Sequence, residues 1–399
     1  MPQVIPAIRE GNVLRPRDPL PARLMTRLGS AGYVCHTEDD LFAPDLAPAL
    51  GINVFSGTRQ VAANFAGMHY HAQLPTVRYG VARNVDCGGC LWADVEPARG
   101  LYRWSSLDAF VAAAAAAGRD IVYCFLATPA WASARPTEPG QYGAGSDAEP
   151  ADLAALGSFA AAVSARFLQR GTPIHAFEVW NEPKYDNGGG VAEGNYFTGT
   201  PSALAAMART IWNAVKAADP AAIVLSPSPT GLEFPWFAGD RSGTDNLYRF
   251  LIASDGAGGS GAQWFDAVAF HAYSHTGTNN LYAVPQMLTN VRACLAVARI
   301  GEREAWITET SAIAPTLASF VSQHQQEYVA RTLLLALGAG ASRVVWYAWD
   351  DPLGFSDRPE VAAFWNTIVG LLAGRSITLV NSLADRRVAA VVDGARLIY

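Results

Sequence analysis

The chain predicts an α/β protein: a (β/α)₈ TIM barrel carrying a small accessory β element formed by the chain ends. Three observations lead there. From about residue 62, short β-branched or aromatic runs alternate with Ala/Leu-rich helical stretches, a pattern that implies parallel strands joined by right-handed crossovers. The strand candidates number eight, the count that closes a barrel. The long Gly-, Pro- and polar-rich segments mostly follow strands, and in a barrel all such segments rise from one face.

Residues 1–61 read as an N-terminal extension. Prolines at positions 2, 6, 16, 19, 21, 44 and 48 leave few clear periods, so the segment is expected to pack on the main domain or join a small β element. The barrel is assigned to 62–374. Its strands are expected at Asn64–His71, Thr76–Arg83, Asp120–Leu126, Ala176–Asn181, Ala222–Ser226, Ala267–His271, Ala305–Thr308 and Arg343–Trp346. Helices are expected at Leu107–Ala117, stopped by Gly118, at Ala151–Leu168, at Ser202–Ala218 with Ser202 as N-cap, and at Gln325–Leu337. The segments on the upper face are Ala132–Pro150, Pro183–Pro201, Pro227–Asp245, Ala272–Val284 and Asp350–Glu360, whereas Ser254–Gly261 precedes a strand and belongs to the opposite face. Residues 375–399 form a short C-terminal β appendage, with strands at Ser376–Val380 and Val388–Val392 and another beginning at Leu397–Tyr399.

Composition excludes several classes. Of 399 residues, 50% are hydrophobic and 16% charged, enough apolar surface for a large core and too much for disorder. A formal net charge of −6 with no basic run argues against nucleic acid as a partner. No stretch reaches the ~18 apolar residues of a membrane span. The N-terminus lacks the basic stretch and apolar run of a secretory signal. The expectation is a secreted or periplasmic protein whose signal is absent from the chain, with a cytoplasmic protein as the alternative. The 5 cysteines are an odd number spread over a long chain, and Cys87 and Cys90 have no second C-x-x-C with which to hold zinc. The 11 tryptophans and 14 tyrosines point to a sugar cleft, because the C–H face of a sugar stacks on a ring.

Two strand ends carry the chemistry. Phe177-Glu178-Val179-Trp180-Asn181-Glu182-Pro183 ends a strand in an Asn-Glu pair that proline stops. A carboxylic acid placed there beside apolar rings suits a general acid, since burial raises its pKa. Ala305-Trp306-Ile307-Thr308-Glu309-Thr310 ends the seventh strand in glutamate. Glu302 and Glu304 precede that strand and fall on the other face, so only Glu309 shares a cleft with Glu182. Strands four and seven lie across a barrel's mouth, and two converging carboxylates are the machinery of retaining glycoside hydrolysis.

In the order of these segments the chain resembles the clan A glycoside hydrolases, family 39 and the family-39-like bacterial enzymes in particular. The resemblance covers roughly residues 62–352. It is carried by Gly67-Met68-His69-Tyr70-His71, Arg83 through Asp86, Trp92-Ala93-Asp94-Val95-Glu96-Pro97, Gly100-Leu101-Tyr102-Arg103-Trp104 and Thr128 through Pro136, then by Trp180-Asn181-Glu182-Pro183, Ser226-Pro227-Ser228, His271-Ala272-Tyr273 and Glu309. The resemblance implies Glu182 as acid/base and Glu309 as nucleophile. It implies that Asn181 meets the sugar 2-hydroxyl, that Arg83 keeps the nucleophile ionised and that Tyr273 orients it. Trp131, Trp346 and Trp349 are candidates for stacking on sugar, and His71 and His271 for hydroxyl contacts. No metal or organic cofactor is implied; the partner is an oligo- or polysaccharide, bacterial exopolysaccharide included. An exo-acting β-xylosidase-like enzyme is the alternative within the class.

Other readings of the same residues stay open. Arg83 also suits a structural ion pair with Glu178 or Asp86. His69, His71 and His271 suit polar lining or a metal-dependent hydrolase. Trp346 and Trp349 suit the core. The whole barrel suits a carbohydrate-binding protein without catalysis. One departure stands out: the family-like enzymes usually read Arg-Leu-Trp-Asp after the second strand. Here the chain reads Arg83-Asn84-Val85-Asp86 and then inserts Cys87-Gly88-Gly89-Cys90, in a loop that touches substrate in the related enzymes.

Overall fold

The computed structural model describes residues 7–10, 13–16, 57–185, 196–232, 243–273, 283–311, 322–351, 354–382 and 387–398. Most of the N-terminal extension and parts of the segments expected after the fourth, fifth, sixth and eighth strands lie outside the described residues. Two short strands, β1 (Ala7–Glu10) and β2 (Val13–Pro16), pair as an antiparallel hairpin. A third, β3 (Thr58–Gln60), leads into the barrel.

Eight parallel strands follow: β4 (Ala66–His69), β5 (Val81–Asn84), β6 (Asp120–Cys124), β7 (Ala176–Glu178), β8 (Ile223–Leu225), β9 (Val268–His271), β10 (Ala305–Thr310) and β11 (Ala341–Trp346). Each overlaps a strand expected from the sequence. Their order is β8-β7-β6-β5-β4-β11-β10-β9. The two edges meet in a parallel bridge between Leu225 and Ala267, and the Ala269 amide donates to the Ser226 hydroxyl across the seam, which closes the barrel.

Helices run between the strands. They are α1 (Trp92–Val95), α2 (Ser105–Ala116), α3 (Leu153–Gln169), α4 (Pro201–Ala218), α5 (Gly243–Ile252), α6 (Ala283–Val297), α7 (Ser322–Ala339) and α8 (Pro359–Leu372). The first crossover, residues 70–80, has no helix. Gly118, at φ +68°, stops α2 in the left-handed region as expected. The N-cap of α4 is Thr200 rather than Ser202: its hydroxyl accepts from the Ala203 amide, and Pro201, which has no amide to satisfy, takes the first turn.

Side-chain alternation sorts the barrel residues. Val81, Val122, Ala176, Leu225, Ala267, Ala269, Trp306 and Val345 form a separate inner cluster. Two residues further along their strands stand Arg83, Cys124, Glu178, His271, Thr308 and Tyr347, a polar layer above that apolar floor. The residues between, such as Ala82, Phe177, Phe270, Ile307 and Trp346, turn outward into the main core under the helices. The same alternation corrects one expectation. Trp346 is fully buried and packs on Tyr328, Phe355 and Trp365, not in the cleft. Trp346→Ala is therefore expected to cost about 3–5 kcal/mol of stability, read as a shift in the denaturant midpoint.

The chain ends meet in an antiparallel sheet ordered β14-β13-β12-β3, with β12 (Ser376–Ser382), β13 (Arg387–Val392) and β14 (Ala395–Ile398). Helix α7 lies close against it: a Cβ on Gly338 would come within 2.7 Å of the Leu379 Cβ, so only glycine fits there.

Candidate active site

Simple alternation along β10 would turn Glu309 outward, next to the inward Thr308. A shift in the pairing register after Ile307, toward both neighbouring strands, re-aims it into the mouth. There both of its oxygens accept: Oε1 from Arg83 Nη1 at 2.5 Å and Oε2 from the Tyr273 hydroxyl at 2.8 Å.

Glu182 lies just past β7. A parallel bridge between Asn181 and Ser228 continues the pairing, and the Glu182 amide donates to the Ser228 carbonyl at 3.0 Å. Its φ of +41° is in the left-handed region, a conformation that costs a side-chain-bearing residue about 1–3 kcal/mol and persists only where neighbours impose it. Its Oε1 is 2.8 Å from His271 Nδ1, which is also 3.4 Å from Glu309 Oε2. One oxygen of each carboxylate and the His271 nitrogen lie within 4.8 Å of one another. Retaining glycosidases hold their carboxyl groups about 5–5.5 Å apart, and inverting ones about 6.5–9.5 Å.

Arg83 ties the site together. It is fully buried; Nε donates to Glu178 Oε2 at 2.7 Å, Nη1 to Glu309 and Nη2 to Asn181 Oδ1 at 2.8 Å. The Thr308 hydroxyl donates to the other Glu178 oxygen at 2.9 Å. Of the two ion pairs weighed for Arg83, the one with Glu178 forms, alongside the pair with Glu309. Burial works against the guanidinium charge, but Glu178 and Glu309 outweigh it and hold the group well above its ordinary range. With Oδ1 occupied, Asn181 keeps its amide N–H groups as donors. Burial, then the charges of Glu309 and Glu182, push the Tyr273 hydroxyl well above its ordinary range, so it stays a neutral donor.

The three histidines weighed as one metal set do not meet. His271 joins the carboxylate pair, whereas His69 and His71 gather with Asp86. His71 is a third exposed, 3.2 Å from the Tyr347 hydroxyl through Nε2 and 3.3 Å from Asp350 through Nδ1. A hydrogen bond that His71 donates to Asp86, against the effect of burial, raises the His71 pKa to about 9. Asp86 is pushed below the usual carboxylate range, the surrounding His69, His71 and Tyr347 outweighing burial.

Trp349 is also a core residue rather than a sugar platform. It is 5% exposed, and its backbone bonds His69, Phe355 and Ser356. Tyr347, between the two tryptophans, is the aromatic that faces inward; it stacks on His69 at 4.8 Å and donates to Asp86 at 2.8 Å. Trp131 is half-buried, donates to the Glu96 carbonyl and carries the Arg99 guanidinium 5.2 Å above its ring. Tyr142 and Tyr196 stack on each other at 5.9 Å, and their hydroxyls are pushed up by burial and then by charges that include Glu309 and Asp86. Glu178, Tyr347, Asp86, Tyr142 and Tyr196 were not among the expected site residues. Counting by twos along β7 and β11 from the apolar floor would have found the first two.

The barrel is similar to several solved structures. One is a glucosidase from Croceicoccus marinus, at 12% identity over 84% of this chain and 75% of that one, with a TM-score of 0.55. Another is a family 39 glycoside hydrolase from Bacteroides cellulosilyticus, at 18% identity over 84% and 69%, with a TM-score of 0.58. A third is a family 30 subfamily 8 xylanase from Clostridium acetobutylicum, at 13% identity over 85% and 80%, with a TM-score of 0.53. No protein-family model and no curated protein matches the chain. The fold is the TIM barrel that these glycoside hydrolases share.

Proposed function

We propose that the protein is a retaining glycoside hydrolase acting on β-glycosidic bonds of an oligo- or polysaccharide. The observation that carries this reading is the pair Glu182 and Glu309, with oxygens within 4.8 Å through His271 and one member anchored by Arg83 and Tyr273. Glu309, accepting on both oxygens, is the nucleophile that attacks the anomeric carbon. Glu182, 2.8 Å from His271 Nδ1, gives its proton to the departing glycosidic oxygen. A covalent glycosyl-enzyme results. Glu182, now a carboxylate, takes a proton from water, which displaces Glu309 and releases a sugar of unchanged configuration. The Asn181 amide faces the sugar 2-hydroxyl, a contact that strengthens as charge develops at the anomeric carbon. His271 holds Glu182 in place through both stages.

The named activities of the structural neighbours, a glucosidase and a xylanase, agree with this class and leave the sugar open. The aromatic Tyr142, Tyr196 and Tyr347 around the carboxylates favour a groove for a polymer, bacterial exopolysaccharide among the candidates, which would set the enzyme to work outside the cytoplasm. The test is a panel of aryl β-glycosides and polysaccharides, with product size read by chromatography and the first-formed anomer by NMR. A β product at early times is the expected result. Heat of binding without product would overturn the reading in favour of a sugar-binding barrel, and single sugars released from a chain end would make the enzyme exo-acting.

A further inference from the structure

We propose that His69, His71 and Asp86 form a binding site for a divalent first-row transition ion, such as zinc, separate from the carboxylate pair. One ligand atom from each lies within 4.8 Å of the others. His69 ends β4 and His71 follows two residues on, their rings edge to face at 4.8 Å. The loop after β5 brings Asp86 to meet them.

The orientation of each ring is the stronger argument. His69 Nδ1 is 3.0 Å from the Arg83 carbonyl oxygen. A carbonyl only accepts, so Nδ1 carries a proton, and Nε2 is the ring atom aimed at Asp86. That Nε2 is buried and lies 2.7 Å from Asp86 Oδ1, the distance of a charge-assisted hydrogen bond. A divalent ion would take the place of the proton between Nε2 and Oδ1. His71 repeats the pattern. Its Nδ1 is 3.3 Å from Asp350 Oδ1, while Nε2 turns toward Asp86 Oδ2 at 3.6 Å. An imidazole that gives one N–H to a carbonyl or carboxylate and points the other nitrogen inward is the usual outer arrangement around a bound metal.

The donor set also fits. Two imidazoles and one carboxylate suit zinc, iron(II), manganese or cobalt, and the side chains of His71 and Asp86 are 33% and 22% exposed, leaving the remaining positions open to water or a sugar hydroxyl. The other trio, Glu182, His271 and Glu309, is a poorer site because the Arg83 guanidinium already lies on Glu309. Nothing in this site depends on the glycosidase reading.

The experiment is calorimetric titration of the chelator-stripped, full-length chain with zinc chloride at pH 8. One saturable equivalent is expected. His71→Ala should weaken it by at least ~100-fold, and Asp350→Asn, which removes only the outer partner, by about 10–100-fold. Glu182→Gln should bind as the unaltered chain does. Cobalt(II) in place of zinc should give visible absorption bands that His71→Ala lacks. No saturable zinc binding overturns the proposal, as does binding that survives His71→Ala or is lost in Glu182→Gln. Should His71→Ala fail to fold, Asp350→Asn decides, and unchanged affinity there counts against the site.

Discussion

Glu309→Ala is expected to lower turnover of an activated aryl β-glycoside by about 10⁵-fold or more, because an enzyme without its nucleophile keeps only binding and electrostatic help. Added azide should restore part of the rate. The small anion enters the space left by the carboxylate and attacks from the same face, giving a glycosyl azide of inverted configuration. Glu182→Ala should behave differently. Its loss is expected to be about 10²–10⁴-fold, and smaller the better the leaving group, since an acidic phenol needs little protonation. In that variant azide takes the place of water at the second step, and the azide product keeps the β configuration. The pair of anomers, read by NMR, assigns the two roles independently of the rates. Glu309→Ala with the rate of the unaltered enzyme, or the same anomer from both variants, would refute the assignment.

Arg83→Met should cost about 3–5 kcal/mol of folding stability in addition to its effect on activity, as it leaves buried carboxylates without their counter-charge. Arg83 is fully buried and donates to Glu178, Glu309 and Asn181 at once. Methionine keeps most of the volume but none of the donors. Adding Glu178→Gln to the Arg83→Met background should recover part of the loss, because it removes the deepest of the stranded charges, at 0% exposure. Denaturant midpoints of the two variants measure this. A loss under about 1 kcal/mol in Arg83→Met, or no recovery in the double variant, would mean that the network contributes to catalysis alone.

The sequence by itself determined the barrel and the two carboxylates. The hydrophobic period, the Gly and Pro stops and the order of long segments are local properties, and they placed eight strands and put Glu182 and Glu309 at strand ends on one face. What the residues around them do was decided by tertiary structure. Trp346 and Trp349 had the right composition for a sugar platform, but the two-residue alternation along β11 sends Trp346 into the core and turns Tyr347 inward. Glu309 reaches the mouth only through a register shift that depends on pairing with both neighbouring strands. Arg83 could be read as an ion pair or as a cleft residue. It is both, because barrel closure brings together positions 83, 178, 181 and 309, which no local pattern connects. The same closure separates His271 from His69 and His71 and gives the latter two Asp86. Local periodicity specifies which way a strand runs and where it stops, but which side chains converge depends on the register between strands far apart in the chain.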